Sequence, residues 1–176
     1  FAIDEVGNNR TDYTFFRIDR TYPNVTLNYP SQGFNTSSAT LVFNFTAIDN
    51  FDLHMNCNLT IDGAVSVQNI NATNNTVTNV TVTSIPEGAH SWNVSCEDNA
   101  GNRNISATRV FTVDTSAPRI QLISPSNNSF NSSTAMDFFY IVNDSTSSVA
   151  NCTLILNGIA NQTNSTIQNG IANNFT

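Results

Sequence analysis

An all-β chain of tandem sandwich domains is the fold that the sequence predicts, and three observations carry that expectation. Apolar and polar residues alternate at period two, no stretch carries a 3.6-residue apolar stripe flanked by helix caps, and the chain matches itself when shifted by 95 residues. In residues 41–47 (LVFNFTA) the odd positions are apolar and the even ones mostly polar. Residues 79–83 (NVTVT) and 92–96 (WNVSC) repeat the pattern, which marks half-buried strands with one wet face.

Seven strands are expected in one unit, at about 24–28, 40–48, 56–62, 65–69, 76–83, 91–98 and 105–113. Turn chemistry separates them. Residues 29–33 (YPSQG) close the first strand, Asp62-Gly63 joins the third to the fourth, 86–88 (PEG) opens the sixth, and 99–102 (NAGN) precedes the last.

The 95-residue shift superposes Pro23, Pro30, Cys57 and Gly63 on Pro118, Pro125, Cys152 and Gly158. It also superposes Phe16, Asp19, Leu27, Phe43, Asp49 and Leu59 on Phe111, Asp114, Leu122, Phe138, Asp144 and Leu154, with no gap between residues 15 and 63. Residues 1–10 match the stretch SCEDNAGNRN, with Gly7 and Gly101 94 apart. The expected organisation is therefore the last two strands of a partial unit at 1–21, a complete unit at 22–115, and the first strands of a further, incomplete unit at 116–176. Seven short strands within about 95 residues suggest an immunoglobulin-like (Ig-like) sandwich.

Composition narrows the function. Six basic residues, all arginine, face 13 acidic ones, which argues against a nucleic-acid partner, because phosphate binding needs clustered Lys and Arg. The absence of lysine removes Lys–Asn isopeptide crosslinks and Schiff-base chemistry. No apolar run approaches the roughly 20 residues that cross a bilayer, and no signal peptide is visible, so the chain reads as a mature or excised fragment.

Asparagine stands out. With 29 Asn and 40 Ser plus Thr among 176 residues, chance supplies about seven N-x-S/T sequons, whereas 17 occur: Asn9, Asn24, Asn35, Asn44, Asn58, Asn71, Asn74, Asn79, Asn93, Asn104, Asn127, Asn131, Asn143, Asn151, Asn161, Asn164 and Asn174. That excess implies selection for N-glycosylation and export to a cell exterior; a generally polar surface rich in N-x-T is the alternative. Asn24, Asn44, Asn58, Asn79, Asn93 and Asn143 all take the parity opposite to their apolar neighbours, so each is expected to point outward.

Cys57 and Cys96 share the inward parity of their strands and lie in the same unit, so a disulfide crossing the core beside Trp92 is expected; two buried thiols in a reducing compartment are the alternative. Cys152, the period-mate of Cys57, has no partner in the chain.

The run WNVSCEDNAGN (92–102), followed by RVFTVDTSAPRIQLISP (109–125), resembles the tandem Ig-like repeats of archaeal and bacterial surface proteins. There a strand ending in D-x-x-G-N precedes the last strand and a short V-D-x-x-x-P linker. The first copy, DEVGN then FRIDRTYP, follows the same pattern but carries Ala2 where the second has Cys96. The resemblance implies architecture more than activity. Sequon density and absent lysine lean toward an archaeal surface.

Catalytic motifs are absent, and His54 and His90 lack a second ligand at metal spacing, so neither enzyme activity, cofactor nor metal is expected. Asp49 with Asp52, and Asp98 with Asn99, are oxygen-rich pairs of a kind that can hold calcium, although turn formation accounts for them too. The expected function is a heavily N-glycosylated structural segment of an extracellular filament, stalk or surface layer. Its expected partners are covalent glycans and copies of itself, or neighbouring repeats, joined head to tail. An adhesin or carbohydrate-binding module is the alternative.

Overall fold

A computed structural model describes residues 1–133 and 135–176. The described residues form strands and no helix: β1 (Ala2–Ile3), β2 (Asn9–Arg10), β3 (Asn24–Tyr29), β4 (Phe34–Thr36), β5 (Leu41–Ile48), β6 (His54–Ile61), β7 (Ala64–Thr73), β8 (Thr76–Val82), β9 (Gly88–Glu97), β10 (Arg103–Ile105), β11 (Arg109–Val113), β12 (Arg119–Ser124), β13 (Phe138–Asn143), β14 (Cys152–Leu156), β15 (Ile159–Asn164) and β16 (Ala172–Phe175). One sheet runs β4-β11-β9-β6-β7 with β10 beside β9, and a second runs β3-β5-β8. The chain is an all-β sandwich. Strand 105–113 is in fact two pieces, β10 and β11, and β4 was not expected from the sequence.

Packing divides the chain into two compact units: Phe1–Tyr29 with Asn44–Val80 and Trp92–Thr108, and Pro30–Phe43 with Thr81–Ser91 and Arg109–Thr176. In the first, β3 pairs antiparallel with β5, placing Val25 opposite Ala47 and Leu27 opposite Phe45. All four are buried, while the intervening Asn24 and Thr26 face water, as alternation requires. The β6–β7 hairpin turns at Asp62 (φ 51°) and Gly63 (φ 79°), a left-handed pair that a two-residue hairpin demands and that Asp-Gly accepts cheaply.

β6 and β9 pair antiparallel, with Cys57 opposite Cys96, Leu59 opposite Val94 and Ile61 opposite Trp92. The two sulfurs are bonded at 2.03 Å with the Cα atoms 4.1 Å apart. The bridge thus joins facing residues of neighbouring strands in one sheet and does not cross the core as the sequence suggested. Trp92 lies away from the bridge along the sheet, with the Leu59–Val94 pair between them. Parity fixes which face a side chain takes but not which strand lies beside it.

In the second unit, β4 pairs parallel with β11, Phe34 opposite Phe111. Phe111 meets Phe43 edge-to-face at 5.5 Å and lies 5.3 Å from the His90 ring. His90 is buried and donates through Nε2 to the Pro86 carbonyl at 2.8 Å, so its polar edge has a structural use. A sheet β12-β13-β16 and the β14–β15 hairpin follow. Their core is small: Tyr140, Val142, Cys152 and Phe175, with Phe138, Val149, Leu154 and Ile167 against it.

Candidate functional site

Two turns and the segment before β3 bring acidic residues of the first unit together. The D-x-x-G-N turn after β9 is tied by Asp98, whose Oδ1 accepts from the Ala100 and Asn102 amides at 2.9 and 2.8 Å and whose Oδ2 accepts from Asn102 Nδ2 at 2.7 Å. The earlier copy builds the same loop: Asp4 Oδ1 accepts from the Val6 and Asn8 amides at 3.1 and 2.8 Å, and its Oδ2 from Asn8 Nδ2 at 2.7 Å. These bonds, the Asn8 side chain first, hold the Asp4 carboxyl below the usual carboxylate range.

After β5, Asp49 Oδ1 accepts from the Phe51 and Asp52 amides at 2.9 and 3.1 Å. Asn74 clamps this turn, donating to the Asp49 and Asp52 carbonyls at 2.7 Å each while accepting from the Asp49 amide at 3.0 Å. Asp144 and Asn169, each 95 residues on, make the same reciprocal pair at 2.9 and 3.0 Å. Asn99 binds Asp52 through its amide and Nδ2 at 3.1 and 2.6 Å. With Asp19 from the segment before β3, the carboxylates of Asp49, Asp52 and Asp98 gather so that one oxygen of each lies within 4.8 Å of the others. The sequence paired these residues separately and missed Asp19, which sits in the V-D-x-x-x-P-like linker.

Glu87, in the second unit, binds four hydroxyls. It accepts from Thr146 and Ser116 at 2.7 Å, from Thr115 at 2.9 Å and from Ser145 at 3.4 Å. These donors, Thr146 foremost, hold its pKa down to about 2 from 4.5. A depressed carboxyl contributes stability fully above its unfolded value and loses it as pH falls through the folded one. Attachment of the 115–116 linker to 145–146 is therefore expected to persist at neutral pH and weaken between about pH 4.5 and 2. Glu87→Gln should abolish that pH dependence in the NMR shifts of Thr115 and Thr146; an unchanged titration would contradict the clasp.

An apolar groove of about 360 Å³ opens in the second unit, lined among others by Ile120, Leu122, Tyr140, Cys152, Leu154 and Phe175. Leu122 is 80% exposed, whereas its period-mate Leu27 is 5% exposed. Cys152 is a buried free thiol. Burial raises the pKa of the nearby Tyr140 hydroxyl, which accepts from Asn164 Nδ2 at 3.2 Å. At the other end of the chain Phe1, Val6, Tyr13, Phe15, Phe16 and Ile18 are all exposed, Phe16 at 82% against 1% for its period-mate Phe111.

None of the 17 sequon asparagines is buried; Asn44, Asn58, Asn74, Asn93 and Asn164 are half-buried and the rest exposed. Asn93, Asn104 and Asn164 each donate one Nδ2 bond, to Thr108 at 3.4 Å, the Pro23 carbonyl at 2.9 Å and Tyr140 at 3.2 Å, whereas Asn74 donates two. Its Nδ2, the atom a glycan would occupy, makes the two 2.7 Å bonds that hold the Asp49 turn.

No curated protein matches the chain. Among solved structures, the fibronectin(III)-like modules of CbhA from Clostridium thermocellum are similar at 14% identity and a TM-score of 0.44, over 86% of this chain and 78% of that one. Residues 31–115 match the family described as bacterial Ig-like domain. The matched segment spans β4 to β11, and the sandwich architecture of the β4-β11-β9-β6-β7 and β3-β5-β8 sheets agrees with that family.

Proposed function

We propose that the chain is a structural segment of a heavily N-glycosylated extracellular filament, stalk or surface layer, of archaeal type, whose Ig-like units join end to end. The observation that carries this reading is the complementarity of two unpaired parts. The groove at Leu122, Tyr140 and Leu154 lies on an apolar face of the kind that β3 and β5 bury, and residues 14–18, in phase with β11, form no strand of their own and expose Phe15, Phe16 and Ile18. Strands equivalent to 1–20 cover the groove, supplied by the next copy or by further sequence of the same chain. An open sheet edge above an apolar face is an arrangement that proteins close by strand addition. Recurrence of the Asp49–Asn74 pair at Asp144–Asn169 supports a structural repeat, with units at 1–21, 22–115 and 116–176.

Glycans supply the coat. Mass spectrometry of native peptides is expected to find sugar on Asn44, Asn58 and Asn93 and none on Asn74, whose amide is engaged. Bare peptides at all of the first three would overturn the glycoprotein reading. Low-resolution imaging of the native material tests the assembly: a polymer is expected, and discrete particles would contradict it.

A further inference from the structure

We infer that Asp19, Asp49, Asp52 and Asp98 form a calcium site. Four carboxylates whose oxygens lie within 4.8 Å of one another repel strongly unless a cation sits among them. No ion pair compensates them among the described residues: Arg17 lines the same recess but lies over the Phe51 ring, 5.6 Å from its centroid.

Hydrogen bonding separates this cluster from a set of turn-forming aspartates. Asp98 and Asp52 use both oxygens on amide donors, as turn residues do. Asp49 is 7% exposed and uses only Oδ1; its buried Oδ2 meets no donor among the described residues. The same holds for Oδ2 of Asp19, whose Oδ1 accepts from the Thr21 amide. Two buried carboxylate oxygens without a donor in one anionic cluster are what a metal would satisfy.

Size selects the ion. Calcium takes oxygen ligands at 2.3–2.6 Å, so opposed ligands stand about 4.8 Å apart, and four oxygens within 4.8 Å of one another lie within reach of one such ion. Magnesium, at 2.0–2.1 Å, demands octahedral geometry and keeps several waters, so a cage of four protein carboxylates suits it less. Water completes the coordination on the half-exposed side at Asp19 and Asp52. Binding fastens the segment before β3 to the turns after β5 and β9, all within the first unit.

The test is calorimetric titration of CaCl2 into the chelator-treated full chain, with thermal melts in CaCl2, MgCl2 and EDTA. One site with Kd of about 10⁻⁴–10⁻³ M is expected, with Tm raised by calcium on the order of 5 °C. Asp19→Asn and Asp52→Asn should each weaken calcium binding at least tenfold, while their Tm in EDTA equals or exceeds the parent's because like-charge repulsion is relieved. No heat and no Tm shift at 10 mM CaCl2, equal stabilisation by MgCl2, or variants that bind like the parent would each overturn the assignment.

Discussion

Removing the Cys57–Cys96 bridge is expected to cost about 4 kcal/mol, because it closes a loop across a sequence separation of 39 residues and so restricts the unfolded chain. Small domains are stable by about 5–15 kcal/mol in all, so the loss is a large share of the total. Both cysteines are buried, which means that reductant reaches the sulfurs only when the strands open. Urea denaturation with and without reductant measures the effect. A midpoint lowered by the equivalent of about 4 kcal/mol is the expected result. A change below about 1 kcal/mol would show that neighbouring-strand pairing, and not the crosslink, carries that part of the fold.

Deleting residues 1–20 is expected to abolish concentration-dependent self-association of the chain, and Phe16→Asp should have nearly the same effect. Phe16 is 82% exposed, and its period-mate Phe111 is 1% exposed, packed edge-to-face on Phe43. Seating Phe16 in an equivalent place buries a full aromatic side chain, worth about 1.5–3 kcal/mol, and the strand backbone adds ladder hydrogen bonds. Sedimentation compares the full and shortened chains. A peptide of residues 1–20 should bind the shortened chain and protect the amides of β13 and β14 from hydrogen exchange. Equal sedimentation of the two chains, with no protection by the peptide, would contradict the assignment of the groove.

Strand positions in the first 115 residues were legible because each strand has one wet face, and the period-two signal survives in runs such as 41–47. β4 was not legible: three residues beside the 29–33 turn, paired parallel with β11, are too few to alternate. The cysteine pair was legible from parity and shared unit, whereas its place within a single sheet depends on β6 lying next to β9, a fact of topology. The acidic cluster shows the same boundary. Asp49, Asp52 and Asp98 stood out in sequence as turn residues, but only the fold brings two turns and the segment carrying Asp19 to one point. Asn74 was read as one sequon among many, and its clamp on the Asp49 turn required the path of β7 into β8.

Cryo-electron microscopy of the native surface material tests end-to-end assembly most directly. The expected result is a continuous glycan-coated filament or stalk of Ig-like beads, in which strands in step with residues 1–20 fill the groove lined by Leu122, Tyr140, Cys152 and Leu154. Discrete particles with that groove open, or Phe15 and Phe16 packed onto their own chain's β3–β11 sandwich, would contradict it.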